Sequence, residues 1–233
     1  MARAQTVENY LKAIFQAQLA LQSTSELIPL GQLAAALGVV RGTATTMVRT
    51  LAESNLVKYD PYAGVRLTAS GERLGALVVR RHRLIELFLV KVVGMNWTEV
   101  HEEAEHMEHA VSDRLIERID EMLGRPSADP HGDPIPDQSG MLERRPLKTL
   151  LTCPLNVPVI VSRVTDQDPE FLRFVERHEL MPGAVVQVED RETAADSVRL
   201  RGTNRRTITL GTRAASKVLV QAEAGDSGPT AFL

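Results

Sequence analysis

Apolar positions recur at helical spacing through the first fifty residues and then begin to alternate. Val7, Leu11, Ile14, Phe15 and Leu21 share one face of a helix predicted over residues 6–22, with Thr6 as its N-cap. A polar stretch over 23–26 precedes a second helix over 30–37, which stops at Gly38. After Val39-Val40-Arg41-Gly42, a third helix carries Ala44, Met47, Val48, Leu51 and Leu56 as its apolar set. Helix, tight glycine-containing turn and helix together form a helix-turn-helix pattern. Residues 57–67 alternate around Pro61 and Gly64, which predicts a β-hairpin and hence the winged form.

Thr68 or Ser70 caps a long helix to about Val93. From Thr98 to Leu123 there is neither Gly nor Pro, which predicts one further helix with Val100, Ala104, Met107, Val111 and Leu115 as its stripe. Leu84, Leu87, Phe88, Leu89, Ile116, Ile119, Met122 and Leu123 add more apolar surface than one short domain needs, so dimerisation is expected. Residues 124–146 turn to Pro, Gly, Asp and Arg, the composition of a linker. Beyond it, β-like runs at 157–164, 184–188, 197–200 and 207–210, with a helix over 169–181, predict a small β-barrel with one helix. The last ten residues have the composition of a mobile tail. The expected fold class is mainly α with a small β domain.

Composition narrows the setting. The chain has 233 residues, 43% of them hydrophobic, enough for two ordinary domains. It contains no run of about 18 apolar residues, so no membrane span is expected. The N-terminus, Met-Ala-Arg-Ala-Gln-Thr, lacks the apolar segment of a signal peptide. A single cysteine, Cys153, excludes an internal disulfide framework and a cysteine-rich zinc site, and the expected compartment is the cytoplasm. With a net charge of −3, any DNA-binding surface must be local.

Two stretches carry candidate chemistry. Residues 101–109, His-Glu-Glu-Ala-Glu-His-Met-Glu-His, hold seven potential metal ligands in nine positions. At about 100° per residue, His101, Glu105, Glu108 and His109 lie beside the apolar stripe, while Glu102, Glu103 and His106 point to solvent. Glu105-x-x-Glu108-His109 therefore offers two carboxylates and an imidazole from one face, as metal-holding helical bundles do. His82 and Glu86 stand one turn apart and, with His101, suggest a second metal site. The outward face of the third helix holds Arg41, Thr43, Thr45, Thr46 and Arg49, side chains suited to phosphates and base edges in a major groove. Lys58 and Arg66 on the hairpin would reach flanking phosphates. Carboxylate–histidine sites also serve metallohydrolases and di-iron oxidases. A di-iron bundle, however, needs a Glu-x-x-His motif on two helices, and the chain has one strong copy. A winged-helix regulator of an organic ligand is the third class.

Four segments resemble the diphtheria-toxin-repressor family of metal-dependent bacterial transcription regulators. They are Thr6-Val-Glu-Asn-Tyr-Leu-Lys-Ala-Ile, Arg81-His-Arg-Leu-Ile-Glu, the stretch from Val100 to Asp113, and Pro130-His-Gly-Asp-Pro-Ile-Pro. The resemblance implies a winged helix-turn-helix DNA-binding domain (1–72), a helical dimerisation and metal-binding domain (73–140) and an SH3-like, FeoA-type domain (147–222). It implies a homodimer that binds palindromic double-stranded DNA when loaded with metal and represses metal-uptake genes. Asn9, Glu105, Glu108 and His109 match the primary metal ligands. His82, Glu86 and His101 match an ancillary site, with Asp166 and Gln167 of the C-terminal domain closing it. The family's iron branch has Cys where this chain has Glu105, and a hard carboxylate there favours Mn2+, with Fe2+ as the alternative. Lys12 stands where manganese members carry a carboxylate, and its ammonium would repel a second ion held close to the first.

Overall fold

Each of the three N-terminal apolar stripes becomes a helix in the computed structural model, which describes residues 2–21, 26–143, 146–202 and 206–222. These are α1 (Ala2–Ala20), α2 (Leu30–Ala36) and α3 (Arg41–Glu53). Gly38, at φ +63, takes the left-handed conformation that ends α2 and frees the chain to enter α3. The hairpin follows as β1 (Val57–Asp60) and β2 (Gly64–Leu67), with Lys58 opposite Arg66. Ile28 pairs with Val65 in both directions and seats the hairpin beside the helices. Then come α4 (Ala69–Phe88), α5 (Val100–Met107) and α6 (Asp113–Met122). Leu11, Ile14, Ile28, Leu33, Val48, Leu51 and Val65 form the buried centre of this part. Each such side chain contributes about 1.5–3 kcal/mol on burial.

The chain divides into two compact units. One comprises Met1–Ile85, Ala104–Ser127 and Ile135–Glu143; the other comprises Glu86–Glu103, Ala128–Pro134 and Arg144–Leu233. In the second unit β3 (Lys148–Thr149), β4 (Pro158–Val164), β5 (Val185–Glu192), β6 (Ser197–Gly202), β7 (Thr207–Gly211) and β8 (Val218–Ala222) form one antiparallel sheet. Its order is β3-β8-β4-β5-β6-β7. The helices α7 (Pro169–Arg177) and α8 (Thr212–Ala215) belong to the same unit. Alternate residues Val159, Val161, Val186, Val188, Val198, Leu200, Ile208 and Leu210 point into its core with Leu172 and Val175 of α7. Among the described residues no helix is long and apolar enough to cross a membrane. The expected tail lies outside the described residues.

Three expectations need correction. The single helix expected over 98–123 is two helices, α5 and α6. Ser112 is extended (φ −72, ψ 152) and its hydroxyl accepts from Leu115 N, so an N-cap outweighs the absence of Gly and Pro. The long fourth helix gives way at Leu89–Val93 to a π-helical turn, closed by Gly94 at φ +82. The expected linker over 124–146 is, in its middle, a buried loop. Asp129 Oδ1 accepts from the backbone N–H of His131 at 2.8 Å and of Asp133 at 2.9 Å. Gly132 packs so closely that a Cβ there would lie 1.9 Å from the Ser162 carbonyl oxygen. Pro, Gly and Asp here build an ordered turn rather than a spacer.

Candidate metal centre

In the first unit, three helices direct charged groups to one place. Glu8, Asn9 and Lys12 share a face of α1 by their three- and four-residue spacing. Glu105 lies on α5, Glu108 and His109 immediately follow it, and His82 comes from α4. Lys12 Nζ donates to Glu105 Oε1 at 2.6 Å and to Glu108 Oε2 at 2.8 Å, and lies 3.0 Å from His82 Nδ1. His82 Nδ1 is 2.7 Å from Glu108 Oε2, closer than it is to Lys12 Nζ, which places the ring proton toward the carboxylate. Glu108 has no exposed surface. Burial alone would raise its pKa, but the His82 hydrogen bond and the charge of Lys12 outweigh burial and hold it below the ordinary carboxylate value.

Three buried polar atoms of these residues are unsatisfied. Asn9 Oδ1, Glu108 Oε1 and His109 Nε2 are buried and have no hydrogen-bond partner among the described residues. Burying three such atoms is costly unless something binds them. His109 Nδ1 donates to Glu8 Oε2 at 2.8 Å, which leaves Nε2 as the lone-pair nitrogen. Glu8 is also 3.6 Å from Arg81, which donates to Asp113 at 2.9 Å and to the Glu108 carbonyl at 3.3 Å. Glu108 Oε1 and His109 Nε2, 3.5 Å apart, offer a carboxylate oxygen and an imidazole nitrogen that suit a divalent cation. Glu8, which sequence reading passed over, orients the histidine. Replacing Glu8 by Ala should weaken Mn2+ binding by roughly 10–100-fold in a metal-buffered titration. Unchanged affinity would rule out that role.

The second unit holds a cluster of its own residues. Glu86, Asp129 and His131 are all buried, and one ligand atom from each lies within 4.8 Å of the others. His131 Nε2 donates to the Trp97 carbonyl at 3.0 Å, which directs Nδ1 into the cluster; Nδ1 is 3.9 Å from Glu86 Oε2. Burial lowers the His131 pKa, against the raising effect of Glu86, so the ring is held neutral and able to ligate. Two carboxylates and a neutral imidazole, all buried, again fit a divalent cation.

Glu86 and His101 do come together, with His101 Nδ1 3.0 Å from Glu86 Oε1. His82 Nδ1 meets Glu108 and Lys12. Asp166 is paired with Lys217 and accepts from Asp168 N at 3.0 Å. Gln167 donates to Asp133 Oδ2 at 3.3 Å. Sequence reading missed Asp129 and His131 because it assigned their segment to a linker. Two donors at i and i+2 beside a glycine were the legible signal.

The outward face of α3 is built simply. Ala44, Val48 and Leu51 bury one side of α3, leaving Arg41, Thr43, Thr46 and Arg49 exposed and Thr45 half-buried. The hydroxyls of Thr45 and Thr46 donate to the Arg41 and Gly42 carbonyls at 2.8 and 3.1 Å. Lys58 is exposed on β1, and Tyr62 stands fully exposed at the hairpin tip.

Comparison with known proteins agrees with this layout. Residues 4–65 match the iron dependent repressor N-terminal DNA binding domain. Residues 68–137 match its metal binding and dimerisation domain, and 148–222 match the FeoA domain. An HTH-type transcriptional regulator of Methanocaldococcus jannaschii is 32% identical over 116 residues, covering 50% of this chain and 90% of that protein. The chain belongs to the diphtheria-toxin-repressor family. The iron-dependent repressor IdeR of Mycobacterium leprae is 28% identical over 79% of this chain and 84% of its own. A solved manganese-dependent transcriptional repressor in complex with manganese superposes with a TM-score of 0.84 at 38% identity, over 93% of this chain and all of that one. Members of this family are metal-dependent, DNA-binding transcriptional repressors rather than enzymes. Asn9 and Lys12 lie in the family's DNA-binding segment and Glu105, Glu108 and His109 in its dimerisation segment, so the first cluster joins the two.

Proposed function

We propose that the chain is a manganese-responsive repressor that binds palindromic operators as a homodimer and switches off metal-uptake genes in the cytoplasm. The observation that supports this reading is the set of buried, unpartnered atoms Asn9 Oδ1, Glu108 Oε1 and His109 Nε2, drawn from both segments. With Glu105 they would hold one ion. Glu86, Asp129 and His131 would hold another, and the C-terminal FeoA-type domain would have the SH3-like barrel character expected of it. A bound ion supplies a divalent charge shared between α1 and the end of α5. The residues then fix α1, and with it the helix-turn-helix, against the dimerisation segment, so metal affinity and operator affinity are coupled. Every donor is oxygen or imidazole nitrogen, and the one thiol, Cys153, is buried against Arg191 in the sheet domain. That donor set favours Mn2+, with Fe2+ as second choice.

The deciding experiment is operator binding by fluorescence anisotropy under anaerobic, chelator-buffered Mn2+ and Fe2+. Binding that rises with free Mn2+ at lower occupancy than with Fe2+ is expected. DNA binding indifferent to both ions would end the proposal.

A further inference from the structure

We propose that Lys12 is a resident cation that joins α1 to α5 before any metal ion binds, so that an ion strengthens this joint rather than creating it. Glu105 and Glu108 both face α1, and Glu108 has no exposed surface. Glu105 is half-exposed, but a carboxylate beside the fully buried Glu108 still repels it unless a positive charge lies between them. The Lys12 ammonium, 5% exposed, occupies that place and bonds to both at 2.6 and 2.8 Å. Its four-carbon stem ties the charge to α1, so the salt bridge is also a link between helices.

The division of oxygens matters. Lys12 takes Glu108 Oε2 and leaves Glu108 Oε1 buried without a hydrogen-bond partner, in common with Asn9 Oδ1 and His109 Nε2. Lysine and ion would thus be neighbours sharing one carboxylate. This gives Lys12 two effects of opposite sign. It orders α1 in the ion-free protein, and its charge weakens the hold on a divalent ion beside it. Both effects reduce the difference between ion-free and ion-loaded forms, and that difference is the regulatory response.

The inference rests on reading this cluster as a metal site, and the test separates the two. Hydrogen exchange of α1 amides is compared in the full-length wild type, Lys12→Met and Lys12→Arg without metal, and Mn2+ affinity is measured for each. In Lys12→Met, α1 should exchange about tenfold faster while Mn2+ binds about tenfold more tightly. Lys12→Arg, which keeps the charge, should exchange as slowly as the wild type. Unchanged exchange in Lys12→Met overturns the proposal. So does faster exchange with equal or weaker Mn2+ binding, since a merely structural lysine would give that pattern. If Lys12→Met is unfolded without metal, recovery of native circular dichroism on adding Mn2+ supports the proposal and failure to recover overturns it. A wild type that takes up no Mn2+ would defeat the metal-site reading and with it the affinity half. Loss of the exchange contrast alone leaves that reading standing.

Discussion

Replacing Glu108 by Ala should abolish metal-stimulated operator binding and lower the stability of the metal-free protein by about 3 kcal/mol. The first effect follows from the position of Oε1, buried beside His109 Nε2 at 3.5 Å with no hydrogen-bond partner. The second follows from Oε2, which accepts from both Lys12 and His82. Removing it takes one partner from a buried ammonium, a loss that generally costs about 3–5 kcal/mol. The lower end applies because Lys12 keeps Glu105. Glu105→Ala is the informative contrast, since that side chain is 40% exposed and has less burial to lose. It should lose metal stimulation while remaining a folded protein. Denaturant unfolding and anisotropy on the same preparations check both. A Glu108→Ala protein that still responds fully to Mn2+ would exclude the first cluster from regulation.

Asp129 separates fold from chemistry in the second cluster. Its Oδ1 holds two backbone N–H groups while the carboxylate supplies charge beside Glu86 and His131. Asp129→Ala should strand both amides, at about 1–3 kcal/mol each, and so lower the melting temperature of the second unit as well as its metal content. Asp129→Asn keeps a carbonyl acceptor for the turn. It should melt close to the wild type yet lose one equivalent of bound Mn2+, measured by elemental analysis after dialysis. An Asn variant that keeps full metal content would show that this carboxylate is not a ligand.

The pattern of apolar positions made the helical half largely readable. Gly38 marked the end of α2, and Glu105, Glu108 and His109 were identifiable because they lie beside an apolar stripe. Two kinds of information were not readable. Ser112 breaks a helix that has no Gly or Pro, because capping depends on where a backbone turns and not on composition. The loop at 129–133 has a linker's composition but is held in place by side-chain-to-backbone bonds and by the approach of Gly132 to Ser162, both of which depend on tertiary placement. Strands β3 and β8 escaped for simpler reasons. β3 is two residues long, and β8 lies just before a stretch of small and polar residues. Lys12 was visible as an odd charge, but its contacts with Glu105 and Glu108 required the fold.

The threonines of α3 have a consequence for reading DNA. Thr45 and Thr46 commit their hydroxyl protons to the carbonyls of Arg41 and Gly42, and Thr50 does the same toward Thr46. A hydroxyl so engaged can accept but not donate. On the floor of a major groove its partners would be the exocyclic amino groups of adenine and cytosine, while the threonine methyls would suit the methyl of thymine. Guanine, which offers only acceptors at that edge, would fall to Arg41 and Arg49. The helix would then distinguish bases by a division of labour, with hydroxyls sensing amino groups and guanidiniums sensing their absence.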